Sequence, residues 1–210
     1  MKFSKVAALA KRKKTAILMT DEDGMQWLST GEAAYKLENM PILDEDTVLT
    51  VMNVSDDARE KWHTAIKEDE KGLFRDYVEG EEEITAEDAG ISIIYNGNLL
   101  TPIYTMDGMI WIDTELLAPT EKKDMDYRSF FVRNLGGHRA IAVKEGMILT
   151  AVIMEFDTWR SSGLSDDLKN LLERCKTEEL RRMGLKAVEN MPDYEIEEEE
   201  GAEEYDTEKE

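Results

Sequence analysis

Short apolar runs separated by turn residues dominate the stretch from residue 91 to residue 154. The turns between these runs are Asn96-Gly97, Asp107-Gly108 and Glu145-Gly146. Asn and Gly tolerate the positive φ of a two-residue hairpin turn, so the pattern predicts strands that are joined as hairpins. Ile110 and Ile112 alternate with Trp111, which predicts one aliphatic face and one face that carries the indole. Met147–Met154 is almost uniformly apolar and predicts a strand that is covered on both faces.

The first half of the chain combines helical and strand patterns. We predict a helix over Met1–Lys14, strands over Thr15–Thr20, Met25–Ser29 and Ala33–Leu37, and a helix over Asp44–Met52. Ser55 is a suitable N-cap for a second helix that ends at Gly72. The apolar stripe of that helix would consist of Ala58, Trp62, Ala65 and Ile66. His63 lies off this stripe, so we expect it to be exposed.

The pattern beyond Met154 becomes helical and then strongly acidic. Ser165 begins a helix with Leu168, Leu171, Leu172 and Cys175 on one stripe, so Cys175 is expected to be a small core residue. The stripe shifts afterwards and predicts a bend or break near Thr177. Residues 193–210 contain eleven Asp or Glu and predict a disordered tail, because they cannot bury enough apolar surface to fold.

These elements predict an α+β fold with antiparallel β-meanders packed by helices. The expected divisions are an N-terminal half over 1–78, a charged connection over 79–90 with a capped turn at Thr85–Ala89, a C-terminal half over 91–192, and the acidic tail over 193–210. One short segment of each half is alike in residue order, since Trp27-Leu28-Ser29-Thr30 and Trp111-Ile112-Asp113-Thr114 each follow an Asp-Gly turn. An internal duplication is one explanation of that similarity, and a chance match is the other.

The formal charge of −21 is unevenly distributed. Residues 1–14 contain no acid, and their cations are Lys2, Lys5, Lys11, Arg12, Lys13 and Lys14. The acidic remainder opposes general affinity for DNA, but this basic helix is a candidate local surface for DNA or a partner protein. No apolar run is long enough to span a bilayer, no signal peptide follows the basic start, and the single Cys175 fits a reducing cytoplasm.

No residue pattern predicts a catalytic, cofactor-binding or metal-binding site. Two histidines and one cysteine do not provide zinc-site spacings, and the acids at 21–23 and 44–46 lack the spaced ligands of an EF-hand loop. Gly136-Gly137-His138 lacks the Lys-Ser/Thr of a phosphate-binding loop, so it predicts a hairpin loop. With 47 acidic residues, no carboxylate pair for acid/base chemistry stands out from the others.

Aromatic residues in the meander offer a second candidate surface. Strand alternation should place some of them outside, and Tyr95, Tyr104 and Trp111 are the candidates for an exposed, protein-binding patch. The methionines are expected mainly to fill the core, and an adaptable binding face is the alternative.

Two segments carry a resemblance to known proteins. Gln26–Tyr35, followed by Met40-Pro41, and Ile141–Met154 resemble a family of proteins of unassigned activity that is carried by phages and prophages. The twin meanders, the acidic total and the single basic helix also loosely resemble DNA sliding clamps, which implies helices that present lysines to DNA. No clamp motif is matched residue by residue, and the long acidic tail departs from that pattern.

We therefore expect a non-enzymatic interaction protein of phage or mobile-element origin with a protein partner, no membrane association and no cofactor. It would be a clamp-like accessory of DNA replication, with a closed homo-oligomer and DNA bound through the basic helix. The alternative is an acidic inhibitor that mimics nucleic acid and occupies a basic groove on a host or defence protein. A carboxylate-dependent hydrolase is a third hypothesis.

Overall fold

The described part of the chain forms an α+β fold with five helices and one mixed sheet of eleven strands, which confirms the predicted fold class. The computed structural model describes residues 2–69, 72–77, 83–121, 127–135, 137–156 and 164–182. Residues 1–162 and 163–210 form two compact units. The sheet lies in the first unit, and the predicted acidic tail lies outside the described residues.

The element bounds follow the chain. The strands are β1 (Thr15–Thr20), β2 (Gln26–Ser29), β3 (Ala33–Lys36), β4 (His63–Glu68), β5 (Ile84–Asp88), β6 (Ile93–Tyr95), β7 (Asn98–Thr105), β8 (Gly108–Asp113), β9 (Arg128–Leu135), β10 (His138–Glu145) and β11 (Ile148–Met154). The helices are α1 (Phe3–Lys13), α2 (Glu45–Val51), α3 (Asp56–Arg59), α4 (Thr114–Leu117) and α5 (Leu164–Arg182), and a 3₁₀ turn over Ala118–Thr120 follows α4.

The strands are ordered β4-β1-β2-β3-β11-β10-β9-β5-β7 across the sheet. Only the pair β1–β4 is parallel among the described strands. β7 pairs with β8 on one side and with β5 and β6 on the other, because Leu100 is opposite both Ile93 and Asp113. The pairing of β3 with β11 joins the two predicted halves in one sheet.

The predicted hairpins of the second half are confirmed. Asn96 and Gly97 have φ values of 48° and 81°, so both positions of the turn between β6 and β7 use the positive φ that Asn-Gly allows. β7–β8, β9–β10 and β10–β11 are also antiparallel hairpins. Ile110 and Ile112 lie in the core, while Trp111 points to the opposite face of β8.

The helices α1, α2 and α4 pack on one face of the sheet. Apolar residues of these helices share a single core with alternate residues of the strands. The helical contribution consists of Val6, Ala7, Leu9, Ala10, Val48, Leu49, Leu116 and Leu117, and Met52, directly after α2, joins them. The alternation is clear in β10, where Ile141 and Val143 face this core and Ala140 and Ala142 face away. We call this side the helix face.

The segment over residues 72–77 covers part of the opposite face. Phe74 stacks on Trp27 with a centroid distance of 4.5 Å. Arg133 fixes the backbone of the segment, since its guanidinium donates to the carbonyls of Leu73 and Arg75, each at 2.6 Å. An aromatic stack and a buried, charge-assisted clamp therefore hold an irregular segment against the sheet.

Two predictions about elements before residue 90 are wrong. The predicted helix from Ser55 to Gly72 is the short α3 followed by strand β4, so Trp62, Ala65 and Ile66 do not form a helical stripe. His63 is exposed as expected, but it lies on β4. The predicted turn over Thr85–Ala89 is replaced by strand β5, which pairs with both β7 and β9.

The C-terminal helix also departs from its predicted form. α5 runs from Leu164 to Arg182 without the predicted break, and the Thr177 hydroxyl donates to the Glu173 carbonyl at 3.0 Å. Cys175 is exposed, so it is not the core residue that its spacing indicated.

Candidate partner-binding surface

Helix α1 buries one side and exposes the other, as an amphipathic surface helix should. Val6, Leu9 and Ala10 are buried, whereas Ser4 and Ala8 are exposed. The helix starts after Lys2, whose N–H donates to the Pro119 carbonyl at 2.9 Å. It ends at Lys14, which adopts the left-handed conformation with φ of 50°. The predicted basic helix is therefore present and docked.

Half of the predicted DNA- or partner-binding residues are neutralised by carboxylates. Lys5 pairs with Glu121 at 3.1 Å, Lys13 pairs with Glu32 at 2.7 Å, and Arg12 pairs with Glu115. These pairs are partly exposed, so each contributes about 0–1 kcal/mol to stability and can be exchanged for other charged partners.

The remaining predicted cations are Lys2, Lys11 and Lys14, which form no ion pair with the described part of the chain. Lys11 and Lys14 are exposed. The structure therefore divides the predicted basic surface into a paired group and an unpaired group. DNA binding by either group stays a prediction.

A groove of about 420 Å³ lies between α1 and the segment that contains α4 and the 3₁₀ turn. It is lined by Lys5, Ala8, Leu9, Arg12, Glu115 and Ala118. The small side chains of Ala8 and Ala118 leave space over Leu9, so the floor is apolar, while the cations and Glu115 provide charged walls. The groove therefore combines a place for an apolar side chain with nearby charges of both signs.

Sequence reasoning identified the cations of this groove but not its floor or its acid. The helical spacing in the sequence predicts Phe3, Val6, Ala7 and Ala10 as the apolar side of α1, and this set does not include Leu9. Glu115 and Ala118 lie more than a hundred residues after α1 in the chain, so the sequence does not indicate that they are close to it. Ala8 gave no local signal of the groove, because an alanine is common in helices and its exposure is known only from the structure.

A buried tyrosine, Tyr35, connects the sheet to α4, which lies on one side of the groove. The Tyr35 hydroxyl donates to the Leu116 carbonyl at 2.7 Å and ties β3 to α4. Burial raises the pKa of the Tyr35 phenol far above its usual range, the negative charges of Asp113 and Glu32 raise it further, and Arg12 opposes them. Tyr35 therefore acts as a neutral hydrogen-bond donor.

Asp113 lies at the start of α4 and caps it. Its side chain accepts a hydrogen bond from the N–H of Glu115 at 3.0 Å. Burial raises the pKa of the Asp113 carboxyl, the Arg12 guanidinium lowers it, and the charge of Glu32 raises it again. Lys13 also lowers it, but the net direction is upward, so desolvation and the charge of Glu32 outweigh the attraction of the two cations.

The predicted aromatic patch is only partly exposed. Tyr95, Tyr104 and Trp111 lie on the same face of β6, β7 and β8, because the strand registers place Tyr104 beside Met109 and Pro102 beside Trp111. The exposed fraction is 50% for Tyr104 and 8% for Trp111. The burial of Trp111 removes the indole from an exposed patch, because the ring packs inside this part of the molecule.

The described residues show few features of other site classes. They contain no group of three or more His, Cys, Asp or Glu placed to hold a metal ion. Glu115 is the one acid that lines the groove beside α1, so no pair of acids converges there. None of the described helices is both long and apolar enough to cross a membrane.

Comparisons with protein-family models, with curated proteins and with solved structures find no match to this chain.

Proposed function

We propose that the protein is a non-enzymatic interaction protein that binds a protein partner through the groove between α1 and α4. The observation that supports this proposal is the apolar floor of Ala8, Leu9 and Ala118 between charged walls. A surface of this kind suits one apolar anchor side chain, and such anchors contribute most of the binding energy in many protein interfaces.

The charges around the groove indicate the chemistry of the partner. Arg12 and Lys5 each hold a partly exposed carboxylate of the chain itself, so a carboxylate from another molecule can replace Glu115 or Glu121 at little cost. We therefore expect the partner to present an aliphatic or aromatic side chain next to Asp or Glu. The acidic body of the protein would repel a partner with a long acidic stretch, so one or two acids are expected.

Selection from a displayed random-peptide library tests this proposal. The enriched peptides should combine an apolar anchor with an adjacent acid. Replacing Ala8 by Arg fills the groove with a long side chain on an exposed helical position, and it should abolish peptide binding. Ser4→Arg adds the same charge to the exposed side of the same helix without lining the groove, and it should leave binding unchanged.

Two results would contradict the proposal. Equal binding of the selected peptides to Ala8→Arg and to the parent protein would show that the groove is not the site. If the selection enriched basic peptides that bind Ala8→Arg and Ser4→Arg as tightly as the parent protein, the result would instead favour the hypothesis of an acidic nucleic-acid mimic.

A clamp-like accessory of DNA replication, of phage or mobile-element origin, is the second candidate. The observation that favours it is the position of Lys11 and Lys14, which are exposed at the end of α1 and form no ion pair with a described residue. The clamp resemblance implies helices that present lysines to DNA, and α1 is the helix that would take this part.

DNA binding has a distinct salt signature that tests this candidate. Removal of one cation that binds a phosphate should reduce the slope of log affinity against log salt by about 0.9. The double variant Lys11→Gln/Lys14→Gln should therefore bind duplex DNA more weakly and with a smaller slope. The double variant Lys169→Gln/Lys176→Gln loses the same charge from exposed positions of α5 and should leave both quantities unchanged. Equal effects of the two variants would contradict a DNA-binding role for α1.

A further inference from the structure

One backbone edge of strand β4 is left unpaired by the described strands along its whole length. Strand β4 pairs in parallel with β1, and no other described strand pairs with it. The N–H of His63 donates to the Lys14 carbonyl at 2.9 Å, and the N–H of Asp69 donates to the Thr20 carbonyl at 2.9 Å. Because alternate residues of a strand direct their backbone groups to opposite sides, Thr64, Ile66 and Glu68 direct theirs away from β1. Such an edge is a template for another strand.

The other end of the sheet does not offer a comparable edge. β6 is only three residues long, and β8 pairs with β7 alone among the described strands. The outer side of β8 receives two further hydrogen bonds, from the N–H of Phe156 to the Trp111 carbonyl at 2.7 Å and from the Arg139 side chain to the Met109 carbonyl at 3.3 Å. The sheet therefore curls so that β8 returns to the end of β10 and β11. Because β4 provides the one long unpaired edge among the described strands, two copies that pair through sheet edges would pair β4 of one copy with β4 of the other.

We propose that two copies of the chain associate through antiparallel pairing of β4 with β4 across a two-fold axis at Ile66. The two sheets then continue as one, with the helix faces on the same side. This proposal does not depend on the function proposed above, because β4 is not part of the groove beside α1.

Charge and apolar contact together select this register among the possible ones. The two copies of β4 form backbone hydrogen bonds only where an outward-directed residue of one copy lies opposite an outward-directed residue of the other. A two-fold axis between two residues would place outward-directed residues opposite inward-directed ones. The axis must therefore pass through the level of a residue. An axis at Lys67 places the two Lys67 side chains opposite each other, and an axis at Glu68 does the same for the two Glu68 side chains. An axis at Ala65 places Ile66 opposite Thr64, so the two Ile66 side chains do not meet. An axis at Ile66 places Thr64 opposite Glu68, Ala65 opposite Lys67 and His63 opposite Asp69, with no like charges directly opposed.

Ile66 supplies the apolar contact in this register. Its side chain is on the helix face, because it lies beside Leu18 in the parallel pairing, yet 54% of it is exposed. On the axis it meets the Ile66 of the second copy, and pairing of the two side chains removes apolar surface from water. Thr64 and Glu68 flank this contact on the same face.

The net charge gives the association a salt dependence of its own. Two copies that each carry −21 repel one another, and added salt screens this repulsion. We expect the dimer to become tighter between about 50 mM and about 500 mM salt, since screening increases with ionic strength. DNA binding would weaken over the same range.

Sedimentation equilibrium of the full chain measures the association. The parent protein should show a species of twice the protomer mass of 24.1 kDa that dissociates on dilution. Ile66→Pro removes an outward N–H that β1 does not use, which edge strands tolerate, and it should give a monomer with an unchanged circular-dichroism spectrum. A milder pair of variants, Ile66→Thr and Ile94→Thr, makes the same substitution at an exposed isoleucine inside and outside the proposed interface. Ile94 is 78% exposed on β6, and only the change at Ile66 should weaken the dimer.

Cysteine cross-linking tests the register directly, even if Ile66→Pro fails to fold. In a Cys175→Ser background, Ile66→Cys should form an intermolecular disulfide, since directly opposed residues of a hydrogen-bonded pair have Cα atoms about 5.5 Å apart. Ala65→Cys should not, because Ala65 and its mate lie on a diagonal of about 7–8 Å. A strictly monomeric parent protein, or equal cross-linking at both positions, would overturn the proposal.

Discussion

A charged cluster under the segment over residues 72–77 allows a quantitative prediction about stability. Glu83 lies between two cations on the face opposite the helices. Its carboxylate oxygens are each 2.6 Å from the Lys144 ammonium, and one is 3.6 Å from the Arg133 guanidinium. The exposed fraction is 4% for both cationic side chains and 19% for Glu83. The perturbation is Glu83→Gln, which keeps the shape and removes the charge.

The geometry sets the expected magnitude. At an effective dielectric constant of about 20, a charge pair at this distance has a gross attraction of about 6 kcal/mol. Desolvation offsets much of that attraction in the parent protein, but removal of one partner leaves buried cations uncompensated, which typically costs about 3–5 kcal/mol. Gln still accepts one hydrogen bond from Lys144, and the Phe131 ring, 4.7 Å from the ammonium, also remains. We therefore expect a loss of about 3 kcal/mol.

Urea unfolding followed by tryptophan fluorescence measures this loss. The midpoint should fall while the slope stays constant, and the melting temperature should drop by about 6–12 °C for a chain of this size. Glu87→Gln removes an equal charge from an exposed position on the neighbouring strand β5, and it should change the stability by less than about 0.5 kcal/mol. If Glu83→Gln were no more destabilising than Glu87→Gln, the assignment of a net stabilising role to the cluster would be refuted.

Three further variants test other parts of the structure. Tyr35→Phe leaves the Leu116 carbonyl without its donor, and urea unfolding should show a loss of about 1–3 kcal/mol; an unchanged stability would contradict the bond. Because the folded chain holds the proton of Asp113 more tightly than the unfolded chain does, this carboxyl lowers stability as the pH rises through its titration range. Asp113→Asn keeps the cap, so it should be more stable than the parent at pH 7, and the difference should shrink as the pH falls towards about 4, the ordinary pKa of an Asp carboxyl; a difference that does not change with pH would contradict burial as the cause. Phe74→Ala removes the ring stacked on Trp27, so it should cost about 3–5 kcal/mol and shift the tryptophan emission to longer wavelength; an unshifted spectrum would contradict the stack.

The sequence predicted local elements well where turn chemistry specifies them. Asn96-Gly97, Asp107-Gly108 and the glycine at 146 form the turns of the second half, and each requires a backbone conformation that few other residues adopt. The basic helix at the start and the strands that follow it were also predicted within about two residues, which is the usual uncertainty of helix ends.

The prediction failed where distant residues decide the structure. Trp62, Ala65 and Ile66 fit a helical stripe locally, but β4 forms because β1, about fifty residues earlier, offers a parallel partner. Strand β5 was missed for the same reason, since its five residues are stabilised by β7 and β9 on both sides. Short strands of mixed polarity carry little local signal, and tertiary pairing overrides propensity there.

The candidate site was predictable in part for a related reason. The cations of α1 are visible in the sequence, but the carboxylates that pair with them are not. Lys5 and Glu121 are 116 positions apart, whereas Lys13 and Glu32 are 19 apart. The groove depends on the packing of α1 against the segment after α4, so its floor could not be identified from the composition of α1 alone.

A competition titration distinguishes a protein-binding groove from a DNA-binding helix most directly. A fluorescent peptide from the library selection is mixed separately with the parent protein, with Ala8→Arg and with Lys11→Gln/Lys14→Gln, and its binding is measured. Unlabelled duplex DNA is then added to each mixture. We expect the peptide to bind the parent and the lysine variant alike, to fail to bind Ala8→Arg, and to stay bound when DNA is added. Displacement of the peptide by DNA, together with normal peptide binding by Ala8→Arg, would contradict a protein-binding groove.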